Sequence, residues 1–219
     1  MEPNFFTNKF LKSFITFVVL GGALVIAVPK KDLVLYANEN LTSPGLDVFF
    51  KYVTHLGDGL MYVGLLIAAL FIRYYWVAFV AVTTVVQTVL VHIFKQWIYK
   101  DLPRPANVLA DMELHKVSGV SINQFGTFPS GHTATAFSVF FILTLWLGNK
   151  SQWGLLFFLC ALFVALSRVY LLQHFFVDVY FGAIFGVMAV LISKWILKKK
   201  DHPIEGQSGW NRNIKSLFR

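Results

Sequence analysis

The chain has 219 residues, of which 57% are hydrophobic and 14% charged, with 23 Phe and 6 Trp. Soluble domains carry roughly 25% charged residues, so this composition excludes a soluble globular protein and favours an integral membrane one. The net charge of +8 does not point to nucleic acid, because the basic residues flank apolar runs and form no stripe that could follow a phosphate backbone.

Six apolar runs approach the roughly 20 residues that cross a bilayer and predict an all-α, polytopic six-transmembrane-helix bundle. The first run, about Phe10–Val28, follows Lys9 and Lys12 and has no small-residue cleavage site, so it reads as a retained span. The stretch Pro29–Lys51 can lie on the membrane surface and holds the turn signal Thr42-Ser43-Pro44-Gly45. Span two is about Gly57–Ile72 and span three about Trp76–Phe94, joined tightly near Arg73–Tyr75. The longest connection, about Lys95–Ser130, mixes charges with Leu102, Val108 and Phe125, and reads either as an ordinary loop or as a flap at the interface. Span four is about His132–Leu147, span five about Trp153–Leu172 after a short link at Gly148–Gln152, and span six about Phe175–Ile196. Cys160 lies inside an apolar run and, being single, rules out an intramolecular disulfide. The whole reads as one membrane domain over residues 1–200 with a cytoplasmic tail over residues 201–219.

Lys and Arg accumulate on the cytoplasmic side of membrane proteins. With the N-terminus inside, eleven of the 19 basic residues fall on the inner side, Lys198–Lys200 being the strongest cluster. That predicts a plasma (inner) membrane protein with both termini in the cytoplasm. The end of span three, the start of span four, the end of span five and the start of span six then share the external, periplasmic face. These ends carry Lys95, His132, Arg168 and His174.

Three strings concentrate the polar chemistry: Lys95–Pro105, Pro129–His132 and Ser167–Asp178. A phosphate monoester carries about −1.5 to −2 charges at neutral pH, and its transfer depends mostly on positioning and electrostatic clamping. Lys95, Arg104 and Arg168 can meet that charge, and the backbone N–H of Gly131 at a helix start, with the Ser130 hydroxyl, can add donors. His174 and Asp178 lie four apart, so on a helix the carboxylate would reach the imidazole, fix its tautomer and leave the other nitrogen to attack phosphorus. His132 could protonate the leaving oxygen and later activate water. Each string alone also suits a capped helix, a loop or a snorkelling arginine. Ionisable groups at the edges of bilayer-length spans, however, are expensive and functional by default. The acidic residues offer no cage for two metals near His174, so no cofactor is expected. Asp58, between Gly57 and Gly59, reads first as a helix cap and otherwise as a support of the site, and His55, His92, His115 and His202 read as structural.

The strings resemble the signature of the type 2 phosphatidic acid phosphatase superfamily, which includes bacterial lipid phosphatases, acid phosphatases and vanadium haloperoxidases. Pro-Ser-Gly-His and Ser-Arg-x5-His-x3-Asp match without substitution at Pro129–His132 and Ser167–Asp178. The resemblance implies Lys95, Arg104, Ser130, Gly131 and Arg168 for phosphate, His132 as acid, His174 as nucleophile and Asp178 as its partner. The first string departs from the usual spacing of six residues between Lys and Arg-Pro: eight follow Lys95 and three follow Lys100 before Arg104. Lys95 is favoured because it ends a span.

The expected activity is a metal-independent lipid phosphatase at the outer leaflet, its partners being the bilayer and a lipid phosphate, with the oligomeric state open. The resemblance implies undecaprenyl diphosphate, phosphatidylglycerophosphate, phosphatidic acid or lipid A phosphates as candidate substrates. Competing readings are a phosphotransferase using the same histidine, a vanadate-dependent oxidase, and a non-enzymatic binder or transporter of anionic lipid.

Overall fold

Asn8 opens the first helix, its side-chain oxygen accepting the Leu11 N–H at 3.2 Å, and α1 runs Lys9–Ala27. The computed structural model describes residues 8–147 and 151–198, so the expected tail, the 148–150 link and most of the Lys198–Lys200 cluster lie outside the described residues. After α1 come α2 (Lys30–Asn40) and α3 (Pro44–Val53). The Ser-Pro turn signal proves to be a helix start: the Ser43 hydroxyl caps α3 and Pro44 occupies its first turn.

A 3₁₀ turn, Thr54–Gly57, separates α3 from α4 (Leu60–Leu70). Here the structure departs from the expected second span. Eleven residues of α4 span only about 16 Å, and the break at Gly57-Asp58-Gly59 leaves α3 with its turn and α4 as a pair bent by 54°. The helix α5 (Tyr74–His92) continues as a π-helical segment, Ile93–Ile98. The long connection that follows holds one helical turn, α6 (Pro105–Val108), and an antiparallel bridge between Pro103 and Phe125. It is tied to the preceding helices, because Asn38 exchanges two hydrogen bonds of 2.9 Å with the His115 backbone and Lys51 donates to the Ser118 carbonyl at 2.8 Å.

Three helices complete the described chain: α7 (Gly131–Trp146), α8 (Ser151–Tyr170) and α9 (Phe176–Leu197). Among the described residues, α1, α5 with its extension, α8 and α9 are long and apolar enough to cross a membrane, and the bent pair adds a fifth if it counts as one span. The predicted fourth span is the 16-residue α7, about 24 Å long. It is buried on nearly every side, so α7 is the axis around which the others pack.

Two glycines one turn apart let α9 lie against that axis. A Cβ at Gly182 would meet the Ser130 carbonyl oxygen at 2.6 Å, and one at Gly186 would collide with the Ala134 carbonyl oxygen. Helices in lipid gain their association from such close backbone approach, since apolar burial alone does not distinguish a neighbour from lipid. Phe10 of α1 then stacks on Phe141 of α7, with ring centres 5.0 Å apart.

Candidate active site

The third string is a helix–turn–helix junction. The last turn of α8 ends where Leu172 takes a left-handed conformation, φ 56°, which reverses the chain. The N–H groups of Gln173 and His174 then both reach the Arg168 carbonyl at 3.0 Å, so the turn brings the imidazole back beside the arginine two places inside the helix end. His174 is 2% exposed and Arg168 8%, so both are withheld from solvent within the bundle. Burial is the main cause that pushes the His174 imidazole down to about 3; Arg104 and Arg168 push the same way and Asp178 opposes them. The ring is therefore neutral, the form in which a nitrogen lone pair is available.

The expected hydrogen bond from His174 to Asp178 is not formed. Nδ1 lies 3.7 Å from Asp178 Oδ2 and is buried without a partner. The four-residue rule fails because His174 precedes α9, whereas Asp178 sits in its first turn. There Oδ2 accepts the Phe175 N–H at 2.8 Å and the Thr127 hydroxyl, closing the first turn of the helix. A separation of 3.7 Å nevertheless leaves the carboxylate facing the ring, and such contacts commonly tighten when substrate binds.

The second string is tied directly to the third, since the Ser130 N–H donates to the Asp178 carbonyl at 3.0 Å. Ser130 caps α7, its oxygen accepting from the Thr133 N–H at 3.4 Å and the Thr133 hydroxyl at 2.9 Å. Those bonds use its lone pairs and leave its own O–H to donate to an anion. Gly131 begins α7 with a free helix N-terminus beside it. His132 lines a cavity of about 260 Å³ together with Gly131, Lys95, Gln87, Thr135 and Gly57. Its Nε2 lies 2.8 Å from Asp58 Oδ1, and Asp58 Oδ2 is 2.8 Å from His55 Nδ1. Asp58 is thus a partner of two histidines, which favours its reading as a support of the site over that of a helix cap; the N-cap of α4 is Gly59.

Within the first string, Lys95 and Lys100 separate cleanly. Lys95 lies in the π-helical segment and lines the cavity, while Lys100 is exposed in the following turn. A π turn adds a residue to the helical register and re-aims the side chains it carries. Arg104 is 6% exposed and largely occupied. Its Nε donates to the Phe125 carbonyl at 3.0 Å and Nη1 to the carbonyl and side-chain oxygen of Gln173 at 3.2 and 2.8 Å. Nη2 bonds the Gly126 carbonyl at 3.4 Å, so of five guanidinium hydrogens one remains for a ligand. Arg168 is freer: Nη1 holds the Thr54 hydroxyl at 2.7 Å, and Nε is buried with no partner. Unpaired buried donors are rare in folded proteins, and this one sits on an arginine beside His174.

Residues 74–201, which contain all three strings, match the PAP2 superfamily over more than half of the sequence. The chain belongs to that superfamily. Among solved structures it is similar to LpxE from Aquifex aeolicus, with 32% identity and a TM-score of 0.65 over 74% of this chain and 92% of that one. It is also similar to the first transmembrane PAP2-type phosphatidylglycerolphosphate phosphatase from Bacillus subtilis. There the identity is 22% and the TM-score 0.62, over 90% and 99% of the two chains, a likeness of fold. No curated protein matches the sequence. Membership in the PAP2 superfamily, with these apolar helices, supports a membrane phosphatase.

In this PAP2 protein the eight expected residues are linked: Lys95, Gly131 and His132 line one cavity, the charges of Lys95 and Arg168 bear on His132, those of Arg104 and Arg168 on His174 beside Asp178, and the Ser130 N–H bonds the Asp178 carbonyl. Four contributors were not expected: Thr54, Thr127, Gln173 and His55, whereas Asp58 takes the second of its two expected readings, a support of the site. Of the four, only Gln173 had a local signal, its place next to His174. Thr127→Val keeps the shape but removes the hydroxyl that holds the buried Asp178. Hydrogen bonds to a charged group are worth about 1.5–3 kcal/mol, and a loss of stability of that size is expected in thermal unfolding of the detergent-solubilised protein.

Proposed function

We propose that this protein is a lipid phosphatase that transfers phosphoryl to His174 and then to water. The observation that carries the reading is a buried His174 whose backbone N–H meets the Arg168 carbonyl and whose Nδ1 faces Asp178 at 3.7 Å, with the charges of Arg104 and Arg168 bearing on its ring and Lys95 in electrostatic reach of both arginines. The Arg168 Nε, the one spare Arg104 hydrogen, the Lys95 ammonium, the Ser130 O–H and the Gly131 N–H would hold the phosphoryl oxygens. His174 attacks phosphorus through Nε2, because Nδ1 faces Asp178. The bond from phosphorus to the lipid oxygen breaks, and that oxygen takes a proton from His132. His132, now neutral, then takes a proton from water; the hydroxide attacks phosphorus, the P–N bond breaks, and phosphate and free His174 remain. The positive site supplies charge stabilisation without a metal ion.

The same reading gives the bent α3–α4 pair and the short α7 one crossing each, making six in a single domain over residues 1–200, with residues 201–219 as a cytoplasmic tail. Both termini would then lie in the cytoplasm and the site on the external face of the inner membrane. The substrate class is a lipid phosphate or diphosphate, for which undecaprenyl diphosphate, phosphatidylglycerophosphate, phosphatidic acid and lipid A phosphates are candidates. The test is release of inorganic phosphate from these lipids by the purified chain in detergent. Release that persists with excess chelator and is blocked by vanadate, a trigonal-bipyramidal phosphate mimic, is expected. Phosphate transfer to another acceptor without free phosphate would make the protein a transferase, and lipid binding without turnover a binder.

A further inference from the structure

The turn that breaks α3 from α4 is built against the site. Gly57 is buried, and a Cβ there would meet the His132 carbonyl oxygen at 2.7 Å and the Val164 side chain at 2.8 Å. Only a residue without a side chain lets this turn rest on both α7 and α8. Asp58 comes next, and its two oxygens divide between His132 Nε2 and His55 Nδ1, each at 2.8 Å. His55 is largely exposed and braces the carboxylate from the solvent side. The same turn presents Thr54, which accepts from Arg168 at 2.7 Å.

An imidazole that gives a proton to a leaving oxygen and later takes one from water must keep one ring orientation and tolerate a positive charge. Arg168 and Lys95 both bear on His132, and Asp58 is the acidic group that offsets them. A carboxylate at Nε2 also selects the nitrogen that faces the protein and leaves Nδ1 for the substrate. We propose that Asp58, seated by Gly57 and braced by His55, is the positioning residue of His132 and holds its ring and charge ready for protonation of the leaving group. This rests on the phosphatase reading above.

The test compares two esters on the full chain in detergent. Phosphatidic acid has an alkoxide leaving group that needs a proton, whereas 4-nitrophenyl phosphate expels a stable phenolate that does not. A positioned acid contributes roughly 100- to 10,000-fold, and Asp58→Asn is expected to lose about tenfold or more of that in kcat on phosphatidic acid. KM should stay within about threefold, and the pre-steady-state burst of nitrophenolate should also fall less than about threefold. Asp58→Glu should recover part of the lost kcat. His55→Ala alters an exposed ring and should show the same ester ratio more weakly, so it decides the question if Asp58→Asn folds poorly. Equal losses on both esters, or no loss on phosphatidic acid, would overturn the role of Asp58 and leave the phosphatase reading standing. A native chain that releases phosphate from neither ester would overturn both.

Discussion

His174→Ala is expected to reduce phosphate release from a lipid phosphate about a thousandfold or more, because removing a nucleophile abolishes the covalent route and leaves only binding and electrostatics. The physical basis is local. His174 is almost fully buried, its neutral form is favoured by burial and by two arginines, and its Nδ1 has no competing partner. A neutral, oriented imidazole surrounded by cations is the arrangement in which attack on an anion becomes possible, since the cations compensate the repulsion between lone pair and phosphate. The check is a rapid-quench labelling experiment with phosphate-labelled lipid. The native chain should carry acid-labile, alkali-stable label, and the variant should carry none. Turnover by His174→Ala at the native rate, or label on another residue, would remove the nucleophile from the proposed sequence of steps.

How far the sequence speaks depends on the range of the interaction concerned. The runs that became α1, α5, α8 and α9 were legible to within a few residues, because a helix facing lipid must stay apolar along its whole length. The second run was misread. Hydropathy registers burial and not direction, and nothing in Gly57-Asp58-Gly59 separates a helix start from a bend between two helices. Arg168, His174 and Ser130 lie at or near helix ends, where the apolar runs already located them. The pairing of His174 with Asp178 was overdrawn for a geometrical reason. Four-residue spacing implies contact only when both residues are helical, and His174 is two residues before α9 begins.

The contacts that fix the site's chemistry were invisible for a different reason. Asp58 meets His132, Thr54 meets Arg168, and Thr127 meets Asp178 across connections far longer than any local pattern spans. Gln173 shows the same effect on a smaller scale. Its position beside His174 is obvious in the sequence, but its work is to hold the Arg104 guanidinium and the Ser121 carbonyl, at 2.8 Å each. That contact pins the long connection between α5 and α7 to the α8–α9 turn. Side chains that fill these adapter roles are ordinary polar residues, and only their neighbours in space set them apart.

Gly186→Leu should disable the protein without touching any group that meets the substrate. A Cβ at this position would strike the Ala134 carbonyl oxygen and lie 3.1 Å from that residue's carbonyl carbon and Cα. Those are backbone atoms of α7, which cannot swing aside as a flexible side chain would. The helices must separate, and overpacking of this kind costs about 1–3 kcal/mol or more. One turn nearer the site, Gly182 rests on the Ser130 carbonyl, and the Ser130 N–H is bonded to the Asp178 carbonyl at 3.0 Å. Parting α7 from α9 therefore pulls Ser130–Gly131, proposed to hold phosphate, away from His174 and Asp178. A misplacement of about 1 Å can cost about 100-fold in rate, and a loss of that order in kcat is expected, with a lower unfolding temperature in detergent. Gly64→Leu is the control: it lies in α4, where a Cβ would have nothing within 4 Å, and should behave like the native chain. If Gly186→Leu turned over lipid phosphate as fast as Gly64→Leu, the close contact of α7 with α9 would not be what aligns the two halves of the site.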